Sequence, residues 1–226
     1  MDDGLGTAPA GLTGRRVLVV GGGHGGLLAA RILSPHFRVT LVDTKEYYEH
    51  TSAHAKVILE PSCFGTWTCL YKDALRGVAN FVWGEVLRID GESMQAMVRP
   101  MYKEEEYIAF DYCLVCCGAK IGMASAPWVR SSPETDERFL EGRRRRILAE
   151  HTRLARINDE SDGKVVVLGA GYLGLELAVG IAEKFPNIGI LVNDVYPRCL
   201  GSFPEAAANH AFEVLERHKI ETTERN

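Results

Sequence analysis

The chain has 226 residues, a net charge of −4, and 46% hydrophobic against 25% charged residues. This balance can build a core and excludes a chain disordered by composition, while the acidic sign argues against a general nucleic-acid binder. No apolar run approaches the ~18–20 residues of a membrane span, and the opening "MDDGLGTAPAGLTGRR" lacks the apolar stretch of a secretory signal and carries Asp2 and Asp3, which weakens a mitochondrial presequence.

Residues 1–13 read as a flexible Gly-rich start, and Arg16–Val20 as a short buried strand. Gly21, Gly23 and Gly26 follow in G-x-G-x-x-G spacing, and Leu27, Ala30 and Leu33 then recur on one helical face. Pro35 stops that helix. Phe37–Val42 is the next strand, with Asp43 at its end. Strand, glycine turn, helix, second strand and an acid about 20 residues on make up a dinucleotide fingerprint. The first glycine permits the tight turn, the second lets a pyrophosphate approach the backbone, and the third lets helix and strand pack closely. A carboxylate at Asp43 can accept hydrogen bonds from ribose hydroxyls.

Lys45–Pro61, with Tyr47, Tyr48, His50 and His54, reads as a loop and then a short helix. Phe81–Asp90, Gln95–Arg99 and Glu106–Phe110 read as a small antiparallel insertion, and Tyr112–Cys117 as a further apolar strand ended by Gly118. Cys113 and Cys116 spell C-x-x-C, but inside a strand rather than at an exposed helix start, so buried reduced cysteines are expected rather than a redox pair. The His residues do not stand at zinc-ligand spacing from a second Cys pair, and no metal is expected. Ile121–Thr135 reads as a connecting loop, and Glu137–Arg156 as a helix with Leu140, Ile147 and Leu154 on one face. The run Arg143–Arg146 covers the whole helix circumference, which fits surface and interdomain ion pairs, with an anionic membrane patch as the alternative.

The first theme then returns. Lys164–Leu168 is a strand, Gly169, Gly171 and Gly174 repeat the spacing, and Leu173, Leu177, Ile181 and Phe185 follow on a helix. Ile188–Val192 is a strand, and Glu205–His218 a helix with Ala208, Phe212 and Leu215 inward. Where an acid is expected the chain reads Asn193-Asp194. If Asn193 faces the ribose, a 2′-phosphate is tolerated; if Asp194 reaches in, NADH is favoured. The expected fold class is α/β, with two Rossmann-like βαβ dinucleotide-binding units, the second incomplete. The expected organisation is an N-terminal domain over 14–120, a connector over 121–162 and a second domain over 163–226.

The paired fingerprints, with "FDYCLVCCGAK" between them, resemble the two-dinucleotide-binding-domain flavoproteins, the pyridine-nucleotide-disulfide oxidoreductase superfamily. Asp111, Leu114, Val115 and Gly118 match the segment that closes the first domain of these proteins, with Cys116 and Cys117 in place of small residues. "LVDTKEYYEHTSAH" and "GAGYLGLELA" are similar to stretches of type II NADH dehydrogenases and of the apoptosis-inducing-factor-like, ferroptosis-suppressor type quinone reductases. The resemblance implies FAD at the first unit, held by Gly21, Gly23, Gly26 and Asp43, with Val86 or a neighbouring backbone group presented to the adenine and Gly118 closing the site. Lys45 would neutralise FAD phosphate or stand solvated, and His50 would face the flavin or the surface. NAD(P)H is implied at the second unit, held by Gly169, Gly171 and Gly174, with Asn193 or Asp194 at the ribose.

By the same resemblance Glu176 is the catalytic candidate near the flavin–nicotinamide contact, or else a first-turn glutamate that favours the helix dipole. Disulfide-reducing members carry a cysteine pair after the first βαβ unit, whereas Lys45–Pro61 has no cysteine, so a quinone-type acceptor is expected. An iron protein as acceptor, or a nucleotide-binding fragment without turnover, are the alternatives. Family members continue past the point matching Asn226, so an N-terminal portion of an enzyme is expected. Peripheral membrane association through that further region and a homo-oligomer are compatible with the resemblance, in the cytoplasm or the mitochondrion.

Overall fold

The computed structural model describes residues 14–118 and 136–223. The start at 1–13 and the whole of the loop expected over 121–135 lie outside the described residues. The chain divides into two compact units, residues 1–50 with 65–143 and residues 51–64 with 144–226.

In the first unit β1 (Arg16–Val20), α1 (His24–Leu33) and β2 (Arg38–Asp43) form the expected βαβ motif. A short antiparallel pair, β3 (Tyr47–Glu49) and β4 (Thr68–Leu70), replaces part of the predicted loop. Between them in sequence lies α2 (His54–Leu59), which belongs to the second unit. Next come the single turn α3 (Tyr71–Ala74), β5 (Asn80–Asp90), β6 (Gln95–Pro100), β7 (Glu106–Ala109) and β8 (Tyr112–Val115). The six strands form one sheet in the order β7-β6-β5-β2-β1-β8. The antiparallel insertion is continuous with the parallel sheet. β5 pairs in parallel with β2 from Asn80 to Trp83, then pairs antiparallel with β6 from Gly84 onward, with an irregularity between Val86 and Arg88.

β1 has no polar alternation because both of its faces are covered, as a central parallel strand requires. Val17 and Val19 enter one cluster with Ala30, Leu41, Tyr71 and Leu75. Leu18 and Val20 enter the opposite one with Val42, Ala96, Val98 and Phe110. The period of two along a strand produces this division, and each buried valine or leucine contributes about 1.5–3 kcal/mol. β1 therefore holds the glycine turn that follows it on a rigid support.

The second unit contains α4 (Leu140–Asp159), largely, then β9 (Lys164–Leu168), α5 (Tyr172–Lys184), β10 (Gly189–Asn193), α6 (Glu205–Arg217) and β11 (Glu221–Thr222). Its sheet is parallel, in the order β11-β10-β9. Ala178 and Ile181 of α5 and Phe185 at its C-cap pack with Val192 and Leu215 in one core, with Leu154 of α4 and Leu59 of α2 against it. Ile147, expected on the inward face of α4, is fully buried. Two expectations change. α4 runs on through the first residues of "NDESDG". Phe212 does not turn inward with Ala208 and Leu215 but is 41% exposed.

Candidate functional site

Each unit builds the same turn. In the first, Gly21 adopts φ +93°, and its N–H donates to Val42 O at 2.8 Å. Gly22 N–H then donates to Asp43 Oδ2 at 2.6 Å, and Lys45 N–H to Asp43 Oδ1 at 2.7 Å. In the second, Gly169 adopts φ +109°, and its N–H donates to Asn193 O at 2.7 Å. Ala170 N–H donates to Asp194 Oδ2, and Tyr196 N–H to Asp194 Oδ1 at 2.9 Å. The repeat thus aligns Gly21 with Gly169, Val42 with Asn193, and Asp43 with Asp194. Of the two residues left open in the sequence, Asp194 takes the place of Asp43 in the turn, and Asn193 serves the turn through its backbone carbonyl. The two backbone N–H groups hold the Asp194 carboxyl below the usual carboxylate range against a smaller effect of burial.

The remaining glycines divide by task. A Cβ on Gly26 would run into the carbonyl of Gly21, and one on Gly174 into that of Gly169, so both mark close packing of helix on turn. Gly23 and Gly171 face open space. They are the N-caps of α1 and α5, and neither helix has a capping side chain or an acid in its first turn. First-turn N–H groups and the positive end of the helix dipole therefore face outward in both units, the arrangement that receives a phosphate. Glu176 lies in the second turn of α5, so the first-turn explanation for it falls.

In the first unit a hollow of about 850 Å³ is lined by Thr44, which follows Asp43, and by Gly84, Arg99, Tyr102 and Arg138. Val86 lies on β5 past the level of Asp43, its side chain packed in the core and its backbone paired with Val98. In the second unit a hollow of about 540 Å³ is lined by Ala170, Asp194, Tyr196, Arg198, Phe212 and Thr222. The outward turn of Phe212 places its ring on that wall. Arg198 donates to Gly201 O and Phe203 O and is held by its own loop. Glu176 is exposed and lines a separate hollow of about 720 Å³ with Leu59, Tyr172, Leu175 and Val179.

Lys45 directs its amine at Glu49 Oε2, 3.4 Å away, and lies over the Tyr47 ring, so its tie to the site runs through its backbone N–H. Gly118 adopts φ +71°, beyond the end of β8. His50 comes to the glycine loop: its Nδ1 lies 2.8 Å from His24 Nε2 and 3.3 Å from the Tyr48 hydroxyl, and its ring stands against Trp67.

Three supporting residues escaped the sequence reading. The hydroxyl of buried Tyr71 lies under Gly22, filling the space a side chain there would need. Burial pushes its phenol well above the ordinary value, with Asp43 adding to the effect. Trp83 Nε1 donates to Thr44 O at 2.9 Å and pins the backbone beside Asp43. His24, within the glycine run, meets His50. Only the position of His24 in the run carried a signal; the other two depend on long-range packing. Among the described residues no cluster of three His, Cys, Asp or Glu could hold a metal ion, and no helix is long and apolar enough to cross a membrane.

The family model for pyridine nucleotide-disulphide oxidoreductases matches residues 15–225. Apoptosis-inducing factor homolog B of Dictyostelium discoideum is 23% identical over 173 residues, covering 76% of this chain and 40% of that protein. The type II NADH:quinone oxidoreductase of Staphylococcus aureus is 25% identical over 232 residues, covering 92% of this chain and 56% of that one. Among solved structures, NDH2 of Plasmodium falciparum in complex with NADH superposes with a TM-score of 0.72 at 16% identity, over 92% of this chain and 47% of that one. The sulfide:quinone oxidoreductase of Aquifex aeolicus gives a TM-score of 0.71 at 18% identity, over 92% and 50%. The chain spans about half the length of the curated relatives it matches. With both fingerprints in place and the match running through nearly all of it, the chain belongs to the pyridine nucleotide-disulphide oxidoreductase family.

Proposed function

We propose that this chain is the dinucleotide-binding part of a flavin-dependent NADH oxidoreductase with a quinone-type acceptor. FAD sits on the first unit and NADH on the second. The observation that carries this reading is the duplicated turn, in which Asp43 and Asp194 accept the same pair of backbone hydrogen bonds. The residues fit the groups: Gly23 and Gly171 leave open space at uncapped helix starts, where a side chain would fill the room a pyrophosphate needs.

When bound, FAD supplies two-electron redox chemistry between the nicotinamide and the acceptor. The chain binds and orients. Gly21, Gly23 and Gly26 shape the first pyrophosphate cradle, Asp43 accepts from the ribose hydroxyls, and backbone at Val86 and Gly118 borders the adenine and the closing edge. Gly169, Gly171 and Gly174 do the same for the second nucleotide, with Asp194 at the ribose. Asp194 favours NADH over NADPH, because a carboxylate repels a 2′-phosphate. The engagement of Arg198 by Gly201 and Phe203 supports that preference. We assign Glu176 to the nicotinamide end, on the resemblance of "GAGYLGLELA", and a quinone to the acceptor role, on the likeness to the staphylococcal enzyme. Cytoplasm or mitochondrion is the proposed compartment.

The test is anaerobic. The chain is loaded with FAD, NADH is added, and a soluble quinone follows. Flavin absorbance that bleaches with NADH and returns with quinone supports the proposal. Bound flavin that never bleaches assigns the chain to nucleotide binding without turnover.

A further inference from the structure

The hydroxyl of Tyr71 is not used by the reading above. Its ring is sealed in the core: Tyr71 is 2% exposed, lies against Phe81 with ring centroids 4.8 Å apart, and packs with Val17, Val19 and Leu41. Its oxygen differs. Among the described residues this hydroxyl makes no hydrogen bond, although none of their side-chain oxygens or nitrogens that are shut off from solvent lacks a partner. The little exposure that Tyr71 keeps therefore lies at its oxygen. That oxygen stands at the first glycine turn, where a Cβ on Gly22 would lie 2.3 Å from it and 2.5 Å from the ring carbon that bears it. The backbone itself does not call for glycine at this position, because Gly22, unlike Gly21, is not at positive φ. The equivalent residue of the second turn is Ala170, whose N–H meets Asp194 as that of Gly22 meets Asp43. Where the second turn carries a methyl group, the first gives up its side chain and admits a phenol hydroxyl. Burial, and then the Asp43 carboxylate, hold that phenol protonated, so the group beneath the turn is a proton donor. Gly22 leads directly into Gly23, the uncapped start of α1, where a phosphate is received.

We infer that the Tyr71 hydroxyl is a further binding group of the first turn, unpartnered by the protein and donating to a phosphate of the bound dinucleotide. The inference rests on the assignment of FAD to the first unit. A hydroxyl held at the edge of a core with no protein partner gives the fold no hydrogen bond, and a phenylalanine would pack the same ring without it. Its use lies with the ligand. A pyrophosphate brings charged acceptors to the turn, and a hydrogen bond to a charged acceptor is among the stronger ones. The first and second sites then differ in kind: the first adds a side-chain donor to its backbone N–H groups, and the second, with Ala170 in that place, does not.

The experiment compares wild-type protein with Tyr71→Phe, which removes the oxygen and keeps the ring. FAD affinity is measured by calorimetric titration, and the stability of the same proteins without FAD by urea unfolding. Loss of one hydrogen bond to a charged acceptor should weaken FAD binding about 10-fold or more. The unfolding midpoint of the FAD-free variant should stay at the wild-type value or rise, because no bond within the protein is lost. That split separates a binding group from a structural one, which would lower affinity and midpoint together. A lowered midpoint in Tyr71→Phe, up to failure to fold, shows that the hydroxyl holds the fold and overturns the inference. Equal FAD affinity in the two proteins also overturns it and leaves the flavin reading intact. Failure of wild-type protein to bind FAD at all overturns both.

Discussion

Replacing Asp194 by asparagine is the sharpest test of the second site. Its carboxylate is fixed by the N–H groups of Ala170 and Tyr196 at the edge of a hollow that also holds Arg198 and Phe212. In the proposed complex it would accept hydrogen bonds from ribose hydroxyls, and a charged acceptor contributes about 1.5–3 kcal/mol. A 2′-phosphate roughly 5 Å away in water-like dielectric would be repelled by about 0.8 kcal/mol per unit charge, or about 1.5 kcal/mol for a charge near −2. The asparagine variant keeps one acceptor oxygen but loses the charge. Discrimination of NADH over NADPH should therefore fall by about 2–4 kcal/mol, a factor of about 30 to 700. Calorimetric titration of both coenzymes into wild-type protein, Asp194→Asn and Asn193→Ala measures it, with Asn193→Ala expected within about twofold of wild type. A change in Asn193→Ala with none in Asp194→Asn would show that Asn193 faces the ribose and would refute the register argument. Because backbone N–H groups depress the Asp194 pKa, the discrimination should persist through neutral pH and vanish only as pH falls through that lowered value.

Other consequences follow from the packing. Gly26→Ala and Gly174→Ala each drive a methyl into a carbonyl of the preceding turn and should cost about 1–3 kcal/mol in urea unfolding, with nucleotide affinity lost at the affected unit; unchanged midpoints would contradict the close packing. Arg143 donates to Glu49 at 2.8 and 3.0 Å and to Glu137 at 2.6 Å, with side chains of Arg143 and Glu49 only 13% and 8% exposed. Arg143→Met leaves the buried Glu49 carboxylate its longer contact to Lys45 but removes the guanidinium, and a loss of about 3 kcal/mol is expected, partly recovered by adding Glu49→Gln. A loss no larger in the single variant than in the double would show that the pair is not coupled. Arg16 holds the Asp111 carboxyl below the usual range, so this pair stabilises above the ordinary aspartate pKa and the contribution is lost as pH falls through the depressed value. Asp111→Asn should accordingly flatten the acid limb of a melting-temperature profile. Glu176→Ala, in the FAD-loaded protein, should slow stopped-flow flavin reduction by NADH; an unchanged rate removes Glu176 from the reaction.

Local physics made much of the site legible before any coordinates. Gly21 and Gly169 sit at positive φ, and Gly26 and Gly174 where a Cβ meets a carbonyl, so each glycine is imposed by its own turn and the spacing alone predicts the motif. The helices α1 and α5 announced themselves through the period of their apolar residues, and β1 through its unbroken run of Val and Leu. The family resemblance read from the same residues agrees with the match over residues 15–225.

What the sequence could not rank were residues whose role depends on partners far along the chain. Asn193 and Asp194 are adjacent, and on a strand a shift of one residue sends a side chain to the opposite face. Only the pairing of β10 on β9, which sets Asn193 opposite Leu168, turns the Asp194 carboxylate to Ala170. Phe212 had the spacing of a core residue, yet it stands on the wall of the hollow beside Asp194. Cys113, Cys116 and Cys117 read as one buried strand, but β8 ends at Val115, and past the last paired residue Cys117 is exposed. By itself the sequence determined two glycine turns, each between a strand and a helix, because those are short-range steric requirements. The tertiary structure decided which acid serves the second turn and what lies beneath the first, because strand register and packing across the sheet set both.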